Sequence, residues 1–172
     1  FGTSVDALVS AAASTTDAVH LVPAFNGLGA PWWAERATGS LTGLTLGTSM
    51  SDVASAGLDS IAMQVADVVD AMRDAGVTVH NLRADGGATR NAELMQRQAD
   101  FAGVQISVSP VAELSAVGAA NMAGQSIGLW SRGELEARAI TETEFSPEMP
   151  ANERMRRRNL WRTAIERASA EV

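Results

Sequence analysis

Apolar residues recur at intervals of three and four along several stretches of this chain, and this spacing predicts amphipathic helices. The longest predicted helix covers residues 50–75, and Ser49 with Asp52 resembles a capping box at its start. Gly76 supplies a stop at its end. Further helices are predicted over residues 4–14, 90–102, 116–124 and 152–170, the last as a surface helix that closes the domain. The apolar positions of the longest helix, which we expect to face the core, are Met50, Val53, Ala54, Leu58, Ile61, Val65, Val68, Val69 and Met72.

Short apolar runs between these helices predict β-strands over residues 20–22, 39–45, 77–84 and 104–108, the last with clean apolar–polar alternation. Because strands and helices follow one another in turn, the sequence predicts an α/β fold in which helices cover a sheet. Residues 23–33 form a loop rich in glycine and proline that also carries Phe25, Trp32 and Trp33. A loop this apolar is expected to pack against the rest of the domain. For the tryptophan pair, core packing or a domain-interface contact is favoured over stacking on a sugar.

The composition is typical of one globular domain: 172 residues, 46% hydrophobic, 19% charged and without cysteine. No apolar run approaches the roughly 20 residues that span a bilayer, so we expect a cytoplasmic protein with no membrane partner. The net charge of −7 disfavours a dedicated nucleic-acid binder. All 13 basic residues are arginine, which excludes a Walker A lysine and a lysine Schiff base. Since the chain starts at Phe1, we expect it to be a piece of a longer protein.

A glycine-rich turn joins the predicted strand 77–84 to the helix that follows, with the sequence Asp85-Gly86-Gly87-Ala88-Thr89-Arg90-Asn91. Two glycines let a ligand approach the backbone without meeting a Cβ atom. The N–H groups at the start of the helix provide a seat for an anionic or nucleotide ligand. A side chain at Gly87 is therefore expected to intrude on the ligand or on the turn. Asp85 could accompany a magnesium ion, but a role in capping the turn is favoured.

Four blocks of the chain resemble the FGGY carbohydrate kinases, and within that family the glycerol kinases most. The first is the proline-rich loop at 22–33, and the second fits an FGGY signature across residues 39–59, with Gly57 as its one departure. The third is the glycine turn continued through Asn91 to Leu94-Met95-Gln96. The fourth is residues 113–120, with Leu129-Trp130 further on. The blocks cover residues 20–130 in the order and spacing of the family.

The resemblance implies a partial actin-like (ribonuclease H-like) ATPase domain with a mixed sheet covered by helices. Residues 1–172 would form one partial C-terminal domain on the nucleotide side of a cleft, and the N-terminal substrate domain would be a missing partner. Nucleotide-binding positions carried over from the family are Gly86, Gly87, Ala88 and Asn91, with the helix at Gly118-Ala119-Ala120 close by. The implied cofactors are ATP and Mg²⁺, and the implied acceptor is a polyol or sugar, with glycerol favoured. The catalytic base lies upstream in the family, so the fragment alone is expected to be inactive.

Two other functions stay open at this point, as does assembly into a homo-oligomer. One is an actin-like ATPase of chaperone or filament type, because residues 86–90 also resemble the Gly-Gly-Ser-Thr-Arg turn of heat-shock ATPases. The other is a non-catalytic interaction fragment.

The Gly-x-Ser-x-Gly pattern at 124–128 is rejected as a hydrolase elbow because it ends a predicted helix. Two groups of side chains are expected to be structural: the methionines Met50, Met63, Met72, Met95 and Met122 in the core, and a solvated basic face of Arg154, Arg156, Arg157 and Arg158 paired with Glu142, Glu144 or Glu153.

Overall fold

The structure, a computed structural model, describes residues 18–111, 113–137 and 141–170, so the helix predicted over residues 4–14 lies outside the described part. The strands of this part are β1 (His20–Val22), β2 (Ser40–Thr42), β3 (Asn81–Ala84), β4 (Gln105–Val108) and β5 (Thr143–Phe145). The helices are α1 (Met50–Asp74), α2 (Ala92–Ala102), α3 (Leu114–Ser126), α4 (Arg132–Glu136) and α5 (Ala151–Ser169). A 3-10 turn, Gly87–Arg90, precedes α2.

The strands form two sheets, and the predicted α/β class is confirmed. β1 pairs antiparallel with β2. The second sheet has the order β3-β4-β5, in which β3 and β4 are parallel and β5 is antiparallel to β4. Two predicted strands are longer than the observed ones, since only 40–42 and 81–84 pair. The alternation predicted for β4 is wrong, because Ile106, Ser107 and Val108 are buried in succession, as in a strand covered on both faces.

Helix α1 has the predicted ends but a different buried face. Ser49 and Asp52 form the predicted capping box, and Gly76 adopts a φ of 84° just after the helix. The buried side chains include Leu58, Ala62, Met63, Ala66 and Val69. The core assignment is wrong for Met50, Ile61, Met72 and Met122, which are exposed. Small residues form the contact face, which lets α1 lie close to α2 and β1.

Helix α5 belongs to the core and is not the surface helix that the sequence predicts. It buries Trp161, Ala164 and Ile165 in the same cluster as Val22, Met63 and Ile106. The solvated basic face is also wrong for two of its arginines, because Arg157 pairs with Asp59 and the buried Arg158 pairs with Asp67 and Asp70. Arg156 does pair with Glu153, and Glu142 pairs with Arg83 instead. The core therefore lies among α1, α2, α5 and the strands.

The loop at residues 23–33 packs only in part against the domain. Ala24 and Leu28 are buried and Trp32 is half-buried, whereas Phe25 is 82% and Trp33 is 75% exposed. Helix α3 is rich in small residues, and of its residues only Gly124 is buried, against the ring of Trp130. Residues 124–128 do end a helix, as expected. Among the described helices, none is both long and apolar enough to cross a membrane.

Candidate functional site

The glycine turn lies at the carboxyl edge of the parallel pair β3 and β4. Ala84, the last residue of β3, is opposite Val108, the last residue of β4. The backbone N–H of Ser109 donates to the carbonyl oxygen of Ala84 at 3.1 Å, which ties the two strand ends together. In open α/β sheets, ligands bind outside the carboxyl ends of parallel strands. The turn is thus at the edge where a ligand is expected.

Gly86 has a backbone conformation that requires glycine. Its φ is 92° and its ψ is −177°, a region essentially restricted to glycine. The Thr89 backbone N–H and hydroxyl both donate to the Gly86 carbonyl oxygen, at 3.2 and 2.8 Å, and close the 3-10 turn. A Cβ added to Gly87 would meet no atom within 4 Å. The turn itself would therefore tolerate a side chain at Gly87, so the expectation that such a side chain intrudes on the turn is wrong. The expectation that it intrudes on a ligand stays a prediction.

Asn91 is the N-cap of α2. Its Oδ1 accepts from the Leu94 backbone N–H at 3.1 Å, so the helix predicted from residue 90 begins at Ala92. The amide Nδ2 of Asn91 makes no hydrogen bond with the described residues and can donate to a ligand. The structure thus brings Gly86, Gly87, Ala88 and Asn91 together in one short segment, with Gly87 and Ala88 exposed.

Asp85 does not cap the turn as the sequence predicts. The side chain is exposed and makes no hydrogen bond with any residue that the structure describes. Thr89 closes the turn in its place. Nor do the described residues contain a group of three or more acidic or histidine side chains that could hold a metal ion.

Helix α3 begins at the same edge of the sheet, because it follows β4 through residues 109–113. Gly118, Ala119 and Ala120 lie on its exposed surface, and a Cβ on Gly118 would meet nothing within 4 Å. Gly87 and Ala88 of the turn are exposed as well. Three cavities of about 500, 420 and 510 Å³ are lined by other parts of the chain.

A buried polar cluster near the loop escaped the sequence analysis. Asp67 is 1% exposed, and its Oδ2 accepts from Trp32 Nε1 at 2.8 Å and from Trp161 Nε1 at 2.9 Å. Arg158 Nη2 lies 2.6 Å from Asp67 Oδ1. We call Trp32, Asp67, Arg158 and Trp161 the Asp67 cluster. The sequence does place the Asp67 carboxylate beside Ala66 and Val69, on the apolar face of α1, which could have indicated a buried acid. The partners of Asp67 could not be identified in this way, because they are far away in sequence.

Comparison with known proteins identifies the family. The family model described as the C-terminal domain of the FGGY family of carbohydrate kinases matches residues 3–127. The chain is 49% identical over 166 residues to a glycerol kinase of Rhodopirellula baltica, covering 95% of this chain and 31% of that protein. It is 47% identical over 154 residues to a glycerol kinase of Nitratidesulfovibrio vulgaris, covering 88% of this chain and 31% of that protein. The chain therefore spans about a third of the length of these relatives.

Solved structures show the same fold. The structure is similar to Plasmodium falciparum glycerol kinase with ADP at a TM-score of 0.83 and 32% identity, covering 96% of this chain and 34% of that one. A xylulose kinase of Lactobacillus acidophilus gives a TM-score of 0.80 at 18% identity, covering 96% and 35%, and supports the fold alone. The expected actin-like kinase fold is confirmed. By the match of its sequence and its fold, this chain belongs to the C-terminal domain of the FGGY family of carbohydrate kinases.

Proposed function

We propose that this chain forms the nucleotide-binding side of an ATP-dependent kinase that transfers phosphate to an alcohol, with glycerol as the acceptor. The observation that carries the proposal is the glycine turn at the carboxyl edge of β3 and β4, in a chain 44–49% identical to proteins named glycerol kinase. As a transferase of this kind, the protein would act in the cytoplasm, where ATP is present.

The turn would hold the nucleotide at close range. Gly86 sets the backbone course, and Gly87 leaves space in which a ligand can contact the main chain. The free Nδ2 of Asn91 would donate to the adenosine end of the nucleotide, while its Oδ1 stays in the helix cap. Helix α3 would close the other side with Gly118, Ala119 and Ala120. Phosphoryl transfer depends chiefly on such positioning and on neutralising charge.

Magnesium in this proposal is held mainly by the nucleotide. Mg²⁺ is commonly bound through one or two carboxylates, several waters and the phosphates of the substrate. The described residues offer no cluster of acidic or histidine ligands, which fits that arrangement and not a protein cage. Asp85, exposed beside the turn, is the carboxylate that this segment can contribute. Bound Mg²⁺ would neutralise charge on the phosphates.

The catalytic base and the acceptor site would come from the rest of the polypeptide. Relatives named glycerol kinase are about three times as long as the matched region. In the proposed arrangement, the remaining part closes over the nucleotide edge and excludes water, which would otherwise compete with the alcohol. This chain is then one partial domain of a two-domain enzyme.

Phosphoryl transfer by the full-length protein tests the proposal. ATP with Mg²⁺ is supplied together with glycerol, xylulose, ribulose or gluconate, and phosphorylated product is measured for each acceptor. Strong preference for glycerol supports the proposal. Hydrolysis of ATP with no acceptor phosphorylated contradicts it and favours the chaperone-type ATPase. A Gly87→Val variant tests the role of the glycine turn, and it should lose activity if this chain holds the nucleotide.

A further inference from the structure

A cleft of about 420 Å³ lies between α1, the end of α2 and the first half of α5, away from the glycine turn. We call it the arginine cleft because Arg73, Arg154, Arg158 and Arg162 line it. The volume is within the roughly 300–1,000 Å³ of small-molecule sites. Met155, which is 65% exposed, supplies the apolar part of the lining, whereas Phe101 is 3% exposed and its ring lies against the Arg157 guanidinium.

The arginine cleft has more guanidinium groups than carboxylates. Asp70 is the acidic residue of the lining, and it lies 3.2 Å from Arg73, 2.9 Å from Arg158 and 3.5 Å from Arg162. Asp67, behind the cleft, also pairs with Arg158. Two carboxylates therefore face four arginines, and a positive excess remains in a chain whose net charge is −7. Such a local excess attracts anions.

Arg154 contributes a positive charge that no acidic side chain of the described residues neutralises. It has neither an ion pair nor a side-chain hydrogen bond within that part of the chain. Its guanidinium packs on the backbone of Gly103, since a Cβ built on that glycine would lie 3.0 Å from Arg154 Cζ. Gly103 ends α2, and the negative end of a helix dipole stabilises a cation there. Arg154 is thus positioned at the cleft while its N–H donors remain available.

Two further groups at the arginine cleft have incomplete hydrogen bonding. The Arg158 side chain is 6% exposed, and its Nε is buried with no hydrogen-bond partner among the described residues. Because Nε is itself buried, Arg158 adds positive charge to the wall of the cleft but does not present this atom to a ligand. The cleft also includes Ala151, the first residue of α5, whose N-cap Pro150 supplies no side-chain acceptor. The N–H groups of an uncapped helix start favour a negatively charged ligand.

We propose that the arginine cleft binds a phosphate-bearing small molecule at a site separate from the nucleotide turn. Guanidinium groups match phosphate oxygens in geometry and charge and bind them through paired hydrogen bonds. The exposed side chain of Met155 accommodates an apolar part of the same ligand. The inference does not depend on the proposed kinase activity, because it uses neither the glycine turn nor Asn91.

Calorimetric titration of the full-length protein at constant ionic strength tests this site, with inorganic phosphate and phenyl phosphate as probes. Each titration is repeated with saturating ADP, which blocks the proposed nucleotide site. We expect saturable binding that persists with ADP, and tighter binding of phenyl phosphate because its ring can pack on the exposed Met155 side chain. Arg154→Gln should weaken binding at least tenfold, and Arg154→Lys should weaken it less. Neither change breaks an ion pair of the described residues. Arg154→Lys keeps the cation at the end of α2, so its unfolding temperature should stay close to that of the wild type, and Arg154→Gln should lower it by a few degrees at most.

Arg167→Gln is the matched control. Arg167 lies on the same helix and likewise has no ion pair within the described part, but it is outside the arginine cleft. Its replacement should change the affinity by less than twofold. The proposal is overturned if neither probe saturates, if ADP abolishes binding, or if Arg154→Gln has no greater effect than Arg167→Gln. A protein that binds phosphate in the cleft but transfers no phosphate from ATP would refute the proposed function alone.

Discussion

Asn91 has two separable roles, one in the helix cap and one proposed in nucleotide binding. Asn91→Ala removes the acceptor for the Leu94 N–H and should destabilise the protein by about 1 kcal/mol. It should also weaken nucleotide binding by about 1 kcal/mol or more, because the Nδ2 donor is lost. Thermal unfolding and nucleotide titration of the full-length variant measure the two effects.

Asn91→Ser separates these roles, since serine caps helices but lacks the amide N–H groups. We expect this variant to keep the unfolding temperature of the wild type and still to bind nucleotide about fivefold more weakly. If Asn91→Ser binds nucleotide as the wild type does, Asn91 is a helix cap only and leaves the proposed site.

The two glycines of the turn should respond differently to substitution. Gly86→Ala forces a side chain into a φ of 92°, and we expect a loss of about 1–3 kcal/mol in unfolding free energy. Gly87→Val should leave stability nearly unchanged, because its Cβ meets no protein atom within 4 Å. It should nevertheless reduce nucleotide affinity sharply if the ligand lies against this residue. Chemical denaturation and nucleotide titration distinguish the two, and unchanged affinity in Gly87→Val would count against the site.

At the scale of elements, the Asp67 cluster joins the loop at 23–33 to α1 and α5. The Asp67 carboxylate accepts hydrogen bonds from both indole N–H groups and forms an ion pair with the Arg158 guanidinium, so three separate segments are fixed to each other at one point. The main chain of the loop adds hydrogen bonds from Trp32 and Trp33 N–H to the Gly29 carbonyl oxygen. Trp33 is held there with a φ of 49° and stays exposed, although its neighbour is anchored.

Removing Asp67 should therefore be costly. Asp67→Ala leaves two indole N–H groups without their acceptor and removes one of the two carboxylates that pair with the buried Arg158, and breaking a buried pair costs about 3–5 kcal/mol. Denaturant unfolding measures the loss. Asp74→Ala, an exposed acidic residue at the end of the same helix, is the control and should change stability by less than about 0.5 kcal/mol. Equal effects of the two variants would show that the cluster adds no stability.

The sequence predicted those features that depend on residues close together along the chain. The capping box at Ser49 and the glycine stops at Gly76 and Gly103 define ends of α1 and α2 close to where the sequence predicts them. The glycine turn was also evident, since residues 86–91 are contiguous. The sequence did not predict β5, because its three residues have only a weak strand pattern and form a strand only by pairing with the distant β4. Asp67 was missed for the same reason: Trp161 lies 94 positions away.

At the scale of the whole molecule, large apolar side chains remain exposed in several places. Phe25, Trp33, Leu46, Met122 and Ile127 are all exposed, and the two described sheets are separate. The relatives are about three times as long as the matched region. In the proposed two-domain enzyme, the further polypeptide would lie over the nucleotide edge of this chain.

This account predicts that the 172-residue chain alone transfers no phosphate. The chain supplies the proposed nucleotide edge, and in the proposed arrangement the catalytic base and the acceptor site belong to the rest of the polypeptide, so ATP with glycerol should yield no product above background. Adding the remaining part of the polypeptide as a separate chain should restore transfer, because closure over the nucleotide brings base, acceptor and phosphate together. Coupled detection of ADP and of phosphorylated glycerol measures this, with circular dichroism to verify that the isolated chain is folded. Phosphorylation of glycerol by the folded chain alone would place the catalytic base within these 172 residues and refute the division of roles proposed here.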